Sequence, residues 1–496
     1  HPPPVVVGGV HLPGPWTVAV NLQAPPQFLF DVCHEMFYRP LSAVFHGTVE
    51  VLGKRSLTRK TTMHGALLPI IVFILVYAAI TFELLNKAVA AMLGVMVLLT
   101  LHVVTEHTAI ELIDFETIML LLGMMSIVAI LRKSGFFAIV SVKIAELTKG
   151  SPLKILLLFS VVTALMSAFL DNVTTVLIII PIVIELTAGM GLDPKIYVLS
   201  QAVISNIGGT ATLIGDPPNI IIGSKVGLTF NQFMLNLTLP VIFCFFAALA
   251  VIWLFNRSKF KAIDGDLTKL FSVQLLLEKI RHNYLDVKID RLFLTKCLVC
   301  LALTILLFVT QTITKLSPGV VAMLMAMVLF AISKVDVEEM LEEIEWSTLL
   351  FFAGLFILVG ILEEKGVIEW IATNIFMRVG DNPYVMVLMV LWVSGIVSGF
   401  LDNIPFTITM IPIVQLMLEA TPIPNNILWW ALALGACLGG NLTMIGASAN
   451  IVSVGMAKRF NQDISFLEFM RFSAGITLLT LVVASVFLML YLWVVL

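Results

Sequence analysis

The feature that most constrains this chain is a polar signature that occurs twice, in the same order and at one fixed offset of 231 residues. Ser167-Ala168-Phe169-Leu170-Asp171-Asn172 recurs as Ser398-Gly399-Phe400-Leu401-Asp402-Asn403, and Ile180-Pro181-Ile182-Val183 recurs as Ile411-Pro412-Ile413-Val414. Gly208-Gly209-Thr210-Ala211-Thr212-Leu213-Ile214-Gly215 through Asn219 recurs as Gly439-Gly440-Asn441-Leu442-Thr443-Met444-Ile445-Gly446 through Asn450. Thr117, Gly123 and Gly135 pair with Thr348, Gly354 and Gly366 at the same spacing. A duplicated half, with Gly, Pro, Asn and Asp interrupting apolar segments at matching places, points to the binding site of a secondary transporter.

Composition narrows the setting. The 496 residues are 59% hydrophobic and only 12% charged, which reads as an all-α polytopic membrane protein partnered by a lipid bilayer. A net charge of -3 offers no basic surface for nucleic acid. Cys297 and Cys300 form a C-x-x-C inside an apolar span, with no second ligand pair beside it, and read as ordinary small membrane residues. No nucleophile–base pair, metal cluster or phosphate loop indicates an enzyme. No cofactor is expected beyond the transported H⁺ and Na⁺. The first residue is His1 rather than a methionine, so further sequence upstream is expected.

Residues 1–62 read as an extramembrane segment, with short strands at 16–20 and 28–32 and a basic cluster of Lys54, Arg55, Arg59 and Lys60. Residues 63–256 read as a first transmembrane repeat, with spans near 65–82, 86–104, 115–131 and 239–256 and an interfacial helix over 136–149. The apolar run 155–184 is too long for one span and too short for two, so its middle, Asp171-Asn172, is expected at the tip of a re-entrant hairpin. The span over 197–226 is broken by Gly208-Gly209 and Pro217-Pro218. A connector over 257–291 carries eight Lys/Arg against five Asp/Glu and reads as cytoplasmic. Residues 292–496 repeat the programme, with spans near 292–311, 318–333, 346–363 and 473–495, an interfacial helix over 367–380, a hairpin about Asp402 and a break over 439–450. Each half then has five crossings, one of them broken, plus a hairpin that returns to its own side. An odd count inverts the second half relative to the first and places the N-terminus outside or in a lumen.

The tip residues Asp171, Asn172, Asp402 and Asn403 are candidate ion- or proton-carrying groups, because an ionisable side chain deep in a membrane is costly. Capping of the following half-helix is the alternative role. Asp216 stands evenly between the same two roles, since Pro217 makes it a natural N-cap. Thr174, Thr175, Asn206, Gly208, Gly209, Thr210, Thr212, Asn219, Thr407, Gly439, Gly440, Asn441, Thr443 and Asn450 are candidate substrate-binding positions, offering free carbonyls, amides and hydroxyls where helices break. The signature segments hold three carboxylates and no Lys or Arg, which favours a cation, or a proton exchanged for one. Glu116, Glu345, Glu363 and Glu364 lie at span ends and read as solvated or interfacial.

At Asp171-Asn172-Val173-Thr174-Thr175, Asn206-Ile207-Gly208-Gly209, Ile214-Gly215-Asp216-Pro217-Pro218-Asn219, Asp402-Asn403-Ile404-Pro405-Phe406-Thr407 and Gly435-Ala436-Cys437-Leu438-Gly439-Gly440-Asn441, the sequence resembles the ion transporter superfamily. That superfamily includes arsenite pumps, sodium/proton antiporters and divalent anion symporters. The nearest likeness is to its melanosomal P protein branch, over about residues 60–496. The resemblance implies two inverted repeats, re-entrant hairpins, alternating access and a homodimer in an organellar or plasma membrane. The carboxylate symporters of that superfamily carry Ser-Asn-Thr at both tips, where this chain has Asp-Asn-Val and Asp-Asn-Ile. The substitution favours proton-linked exchange, with Na⁺/H⁺ antiport the most concrete form. Transport or channel conduction of an anion or oxyacid (chloride, arsenite, a carboxylate) is the alternative.

Overall fold

Every regular element among the described residues is helical, as burial of the backbone in lipid demands for an open, non-barrel chain. The computed structural model describes residues 65–260 and 290–495, apart from short gaps at 83, 149–150, 258, 377–381 and 421–425. The expected strands at 16–20 and 28–32, the basic cluster and most of the connector lie outside the described residues.

The first half contains α1 (Leu67–Thr81), α2 (Lys87–Thr100), α3 (Glu106–Glu111), α4 (Phe115–Lys133), α5 (Phe136–Thr148), α6 (Pro152–Phe169), α7 (Asn172–Gly189), α8 (Pro194–Gly209), α9 (Pro217–Val226) and α10 (Phe230–Asn256). The second contains α11 (Arg291–Val309), α12 (Gln311–Thr314), α13 (Pro318–Ser333), α14 (Val337–Glu342), α15 (Trp346–Glu364) and α16 (Val367–Ile371), which runs into a π-helical turn at Ala372–Phe376. It continues with α17 (Pro383–Phe400), α18 (Asn403–Ala420), α19 (Ile427–Gly439), α20 (Ser448–Arg459) and α21 (Phe466–Val495). Among the described residues, nine helices are long and apolar enough to cross a membrane: α4, α6, α7, α10, α11, α15, α17, α18 and α21.

The duplication reaches the elements themselves. The bounds of α3, α4, α6 and α7 return 231 residues later, residue for residue, as α14, α15, α17 and α18. Matching start signals explain this: Pro152 and Pro383 open α6 and α17 at the first helical turn. Asp114 caps α4 through the amides of Glu116 and Thr117, and Glu345 precedes α15 with its carboxylate 2.9 Å from Thr348 Oγ1. Packing between the halves is reciprocal. Helix α4 lies on α13 while its counterpart α15 lies on α2, and α20 lies on α7 while α9 lies on α18. Small residues allow this close approach. A methyl group at Gly123 would stand 2.5 Å from the Ala322 backbone, and one at Gly354 would stand 2.9 Å from Ala91 Cβ.

Several lengths depart from the hydropathy pattern. Helices α1 and α2 have only 15 and 14 residues. Chain reversal at His102, with φ of 53°, and a new cap at Thr105 end the second of these early. Helices α10 and α21 are longer than expected, at 27 and 30 residues, because both begin in the polar loop before the apolar run. Thr229 and Gln232 form the capping box that starts α10. The hairpin arms are 18 residues each, since polar turns at both ends extend the apolar run 155–184. At about 1.5 Å per residue each arm spans about 27 Å, so length alone does not make these hairpins re-entrant.

Candidate functional site

The chain breaks at four places that converge: the hairpin tips at Asp171 and Asp402, and the gaps 210–216 and 440–447 in the broken spans. Hydroxyls tie each break to its hairpin. Thr212 Oγ1 donates to the Ala168 carbonyl, and Thr443 Oγ1 donates to the Gly399 carbonyl at 2.6 Å. Ser167 Oγ donates to Ser205 O at 2.6 Å, and its counterpart Ser398 Oγ to Ala436 O at 2.8 Å. Within each break an asparagine closes the loop. Asn219 Nδ2 donates to the carbonyls of Thr210 and Thr212 at 3.0 and 2.9 Å, and Asn450 Nδ2 donates to those of Gly440 and Thr443 at 2.9 and 3.0 Å. The glycines permit this density. A methyl at Gly208 would stand 2.5 Å from the Ala164 backbone, and Gly439 and Gly440 meet the backbones of Gly395 and Gly446 in the same way.

A chain of buried amides links the halves. Asn172 Nδ2 donates to Asn206 Oδ1 at 3.0 Å and to Asp216 Oδ1 at 3.2 Å. Asn206 Nδ2 donates in turn to Asn441 Oδ1 at 2.8 Å and Asn450 Oδ1 at 2.9 Å. The two-fold counterpart of the Asn206–Asn450 bond is the contact of Cys437 Sγ with Asn219 Oδ1 at 3.6 Å. Three polar atoms in this network are buried with no hydrogen-bond partner among the described residues: Asp216 Oδ2, Asn403 Nδ2 and Asn441 Nδ2.

The network backs a cavity of about 610 Å³, whose polar lining includes Lys87, Asp171, Asn172, Asp216, Glu345 and Asn403. Asp171 accepts from the Thr174 amide at 2.8 Å and from its hydroxyl, so it caps α7 as well as facing the cavity. Asp216 does not cap α9 by its side chain. Its carboxylate turns to Asn172, with Asn403 and Cys437 beside it beyond regular hydrogen-bond geometry, so its side chain does not take the capping role that Pro217 suggests. Asp402 accepts from the Ile404 amide at 3.1 Å and is paired with the Lys87 ammonium. The two tip aspartates are therefore equivalent in sequence but not in partners.

Three of the expected threonines bond within their own helical turns. Thr175, Thr210 and Thr407 donate to the carbonyls of Asp171, Asn206 and Asn403 one turn back, at 3.0, 2.7 and 2.7 Å. Three cavity residues lie outside the candidate set read from the sequence. Glu345, expected at a solvated span end, lines the cavity beside Thr348. Lys87 and Ser448 meet there as well, with Lys87 Nζ 3.2 Å from Ser448 Oγ. The one available clue was a lysine opening an apolar helix, where the helix dipole disfavours a cation unless a carboxylate faces it.

The profile of the citrate transporter family matches residues 77–435, a stretch that holds Lys87, both hairpin tips and the whole of the first break. The chain belongs to that family. Its relatives include a 46 kDa membrane protein of Mycobacterium leprae, 40% identical over 85% of this chain and 98% of the relative. An uncharacterized transporter of Mycobacterium tuberculosis is 39% identical over 84% of this chain and 96% of its own length. The P protein of Homo sapiens is 34% identical over 80% of this chain and 56% of its own length. The family member described here is thus an integral, multi-pass membrane transporter rather than an enzyme.

Proposed function

We propose that this transporter exchanges protons for a small inorganic cation by alternating access, with Na⁺/H⁺ antiport its most concrete form. The observation that carries the reading is the cavity itself. Asp171, Asp216 and Glu345 line it, and the lining Lys87 pairs its ammonium with the buried carboxylate of Asp402. Such a field favours cations, and carboxylates out of water bind a proton or a cation rather than stand bare. Asp216 Oδ2 makes no hydrogen bond of regular geometry and is a candidate ligand, with the side chains of Asn172, Asn403 and Cys437 beside the carboxylate. Asp171 and Asp216 carry the exchanged ion in this scheme, and Asp402 carries it once Lys87 releases its carboxylate. Reciprocal packing of the halves, together with the odd number of crossings expected from the sequence, supports an inverted pair of repeats, with the hairpin tips meeting inside the bilayer.

A second reading rests on a different observation. Lys87 and the Asn403 amide, both lining the cavity, are donors suited to an anion, and the family is described by citrate. Ligand-induced thermal stabilisation separates the two in purified protein, since a ligand that binds only the folded state raises stability as its concentration exceeds Kd. Na⁺ or Li⁺ raising Tm in the absence of citrate supports cation exchange. Stabilisation by citrate alone, with no cation response, supports the anion.

A further inference from the structure

The Lys87–Asp402 pair is where the two halves stop being equivalent. Counting 231 residues on, the counterpart of Lys87 is Pro318, and counting back, the counterpart of Ser448 is Pro217. The positions that bring an ammonium and a hydroxyl to Asp402 therefore hold prolines on the side of Asp171, whose carboxylate bonds within its own helix turn. The pair also joins helices far apart in the chain. Lys87 opens α2, which packs on α1 and α15, whereas Asp402 and Ser448 start α18 and α20 of the hairpin-and-break assembly. The Asp402 side chain is 1% exposed, while the Lys87 side chain keeps 28% of its surface open. Four methylenes thus hold an ammonium at a buried carboxylate, with the cavity beside it as space into which it can withdraw.

We infer that Lys87 is a tethered monovalent cation that occupies the Asp402 carboxylate until a transported cation displaces it, and that it sets the apparent affinity of the site. Resting on the cation-exchange reading, the inference assigns Lys87 the role of an internal competitor. In the unloaded protein it neutralises Asp402, so the hairpin tip is not left with a bare buried charge. When a cation takes the carboxylate, the ammonium moves into the cavity, and the link between α2 and the α18 hairpin is released at that moment. Cation binding and freedom of the hairpin are thereby joined in one exchange of partners. Ser448 holds the ammonium in its docked position.

The size of the effect follows from competition. A site that is free for about one tenth of the time binds its ligand about tenfold more weakly than its intrinsic affinity. Proteoliposomes holding wild-type protein, Lys87→Gln, Lys87→Arg and Ser448→Ala, assayed for Na⁺- and Li⁺-driven proton flux at one fixed pH, test this. Lys87→Gln is expected to lower the apparent KM for the cation about tenfold. Lys87→Arg keeps a permanent charge and leaves KM at or above the wild-type value, and Ser448→Ala lowers KM by a smaller factor. A purely structural lysine would lower the maximal rate and leave KM unchanged or raised in Lys87→Gln, which overturns the inference while cation exchange stands. Wild-type liposomes with no cation-driven proton flux overturn cation exchange, and this inference with it. Should Lys87→Gln fail to reach the membrane, Ser448→Ala decides, and an unchanged KM there is the contrary result.

Discussion

Asp216 is the residue whose environment says most about the chemistry. It is fully buried, its carboxylate accepts from Asn172 with the Asn403 and Cys437 side chains beside it, and its side chain does not cap the helix it precedes. Asp216→Asn preserves shape and removes the titrating group, so thermal stability should hold while ion-coupled proton movement falls at least about a hundredfold, the scale of a lost acid–base group. A marked loss of Tm with transport retained would return Asp216 to a structural role. Two glycines give a matched pair of predictions about packing. Gly208→Ala drives a methyl into the Ala164 backbone and should cost about 2 kcal/mol, as overpacking does. At Gly455, inside α20, an added methyl would meet nothing within 4 Å. Gly455→Ala should gain about 0.5–1 kcal/mol from backbone entropy, and thermal unfolding of the two variants checks both signs.

Among the elements, the broken spans and hairpins are held together by pairs of side-chain bonds that repeat across the halves. Thr212→Val and Thr443→Val each remove a hydroxyl from a buried carbonyl at a hairpin tip. Each should cost about 1–3 kcal/mol, the penalty of an unsatisfied buried acceptor, and similar Tm losses in the two variants would show that both ties work alike. Much of this level was legible in the sequence. Gly208-Gly209 and Gly439-Gly440 marked the breaks, and the tips fell between α6 and α7 and between α17 and α18 as the Asp-Asn pairs indicated. Hydropathy misplaced the end of α2 and the starts of α10 and α21, because caps and a positive φ, not apolarity, set where a helix starts and stops. The amide network Asn172–Asn206–Asn441 was visible only as a set of residues. Lys87 and Glu345 stayed out of view because no local pattern brings the starts of α2 and α15 to hairpin tips so distant in the chain.

For the molecule as a whole, the proposed inversion of the halves has a direct topological test. Leu84 and Lys315 occupy counterpart loops at the 231-residue offset, and both are exposed. Single cysteines at these two positions, probed with a membrane-impermeant thiol reagent, should label from opposite faces of the membrane; labelling from one face would mean parallel repeats. Cation exchange itself is tested most directly by proton flux in proteoliposomes of purified protein carrying an internal pH dye, challenged in turn with Na⁺, Li⁺, K⁺, chloride, arsenite and citrate. The expected result is a pH change driven by Na⁺ or Li⁺ and lost in Asp171→Asn and Asp216→Asn. A flux driven by citrate or chloride, indifferent to those cations and intact in both variants, would contradict it.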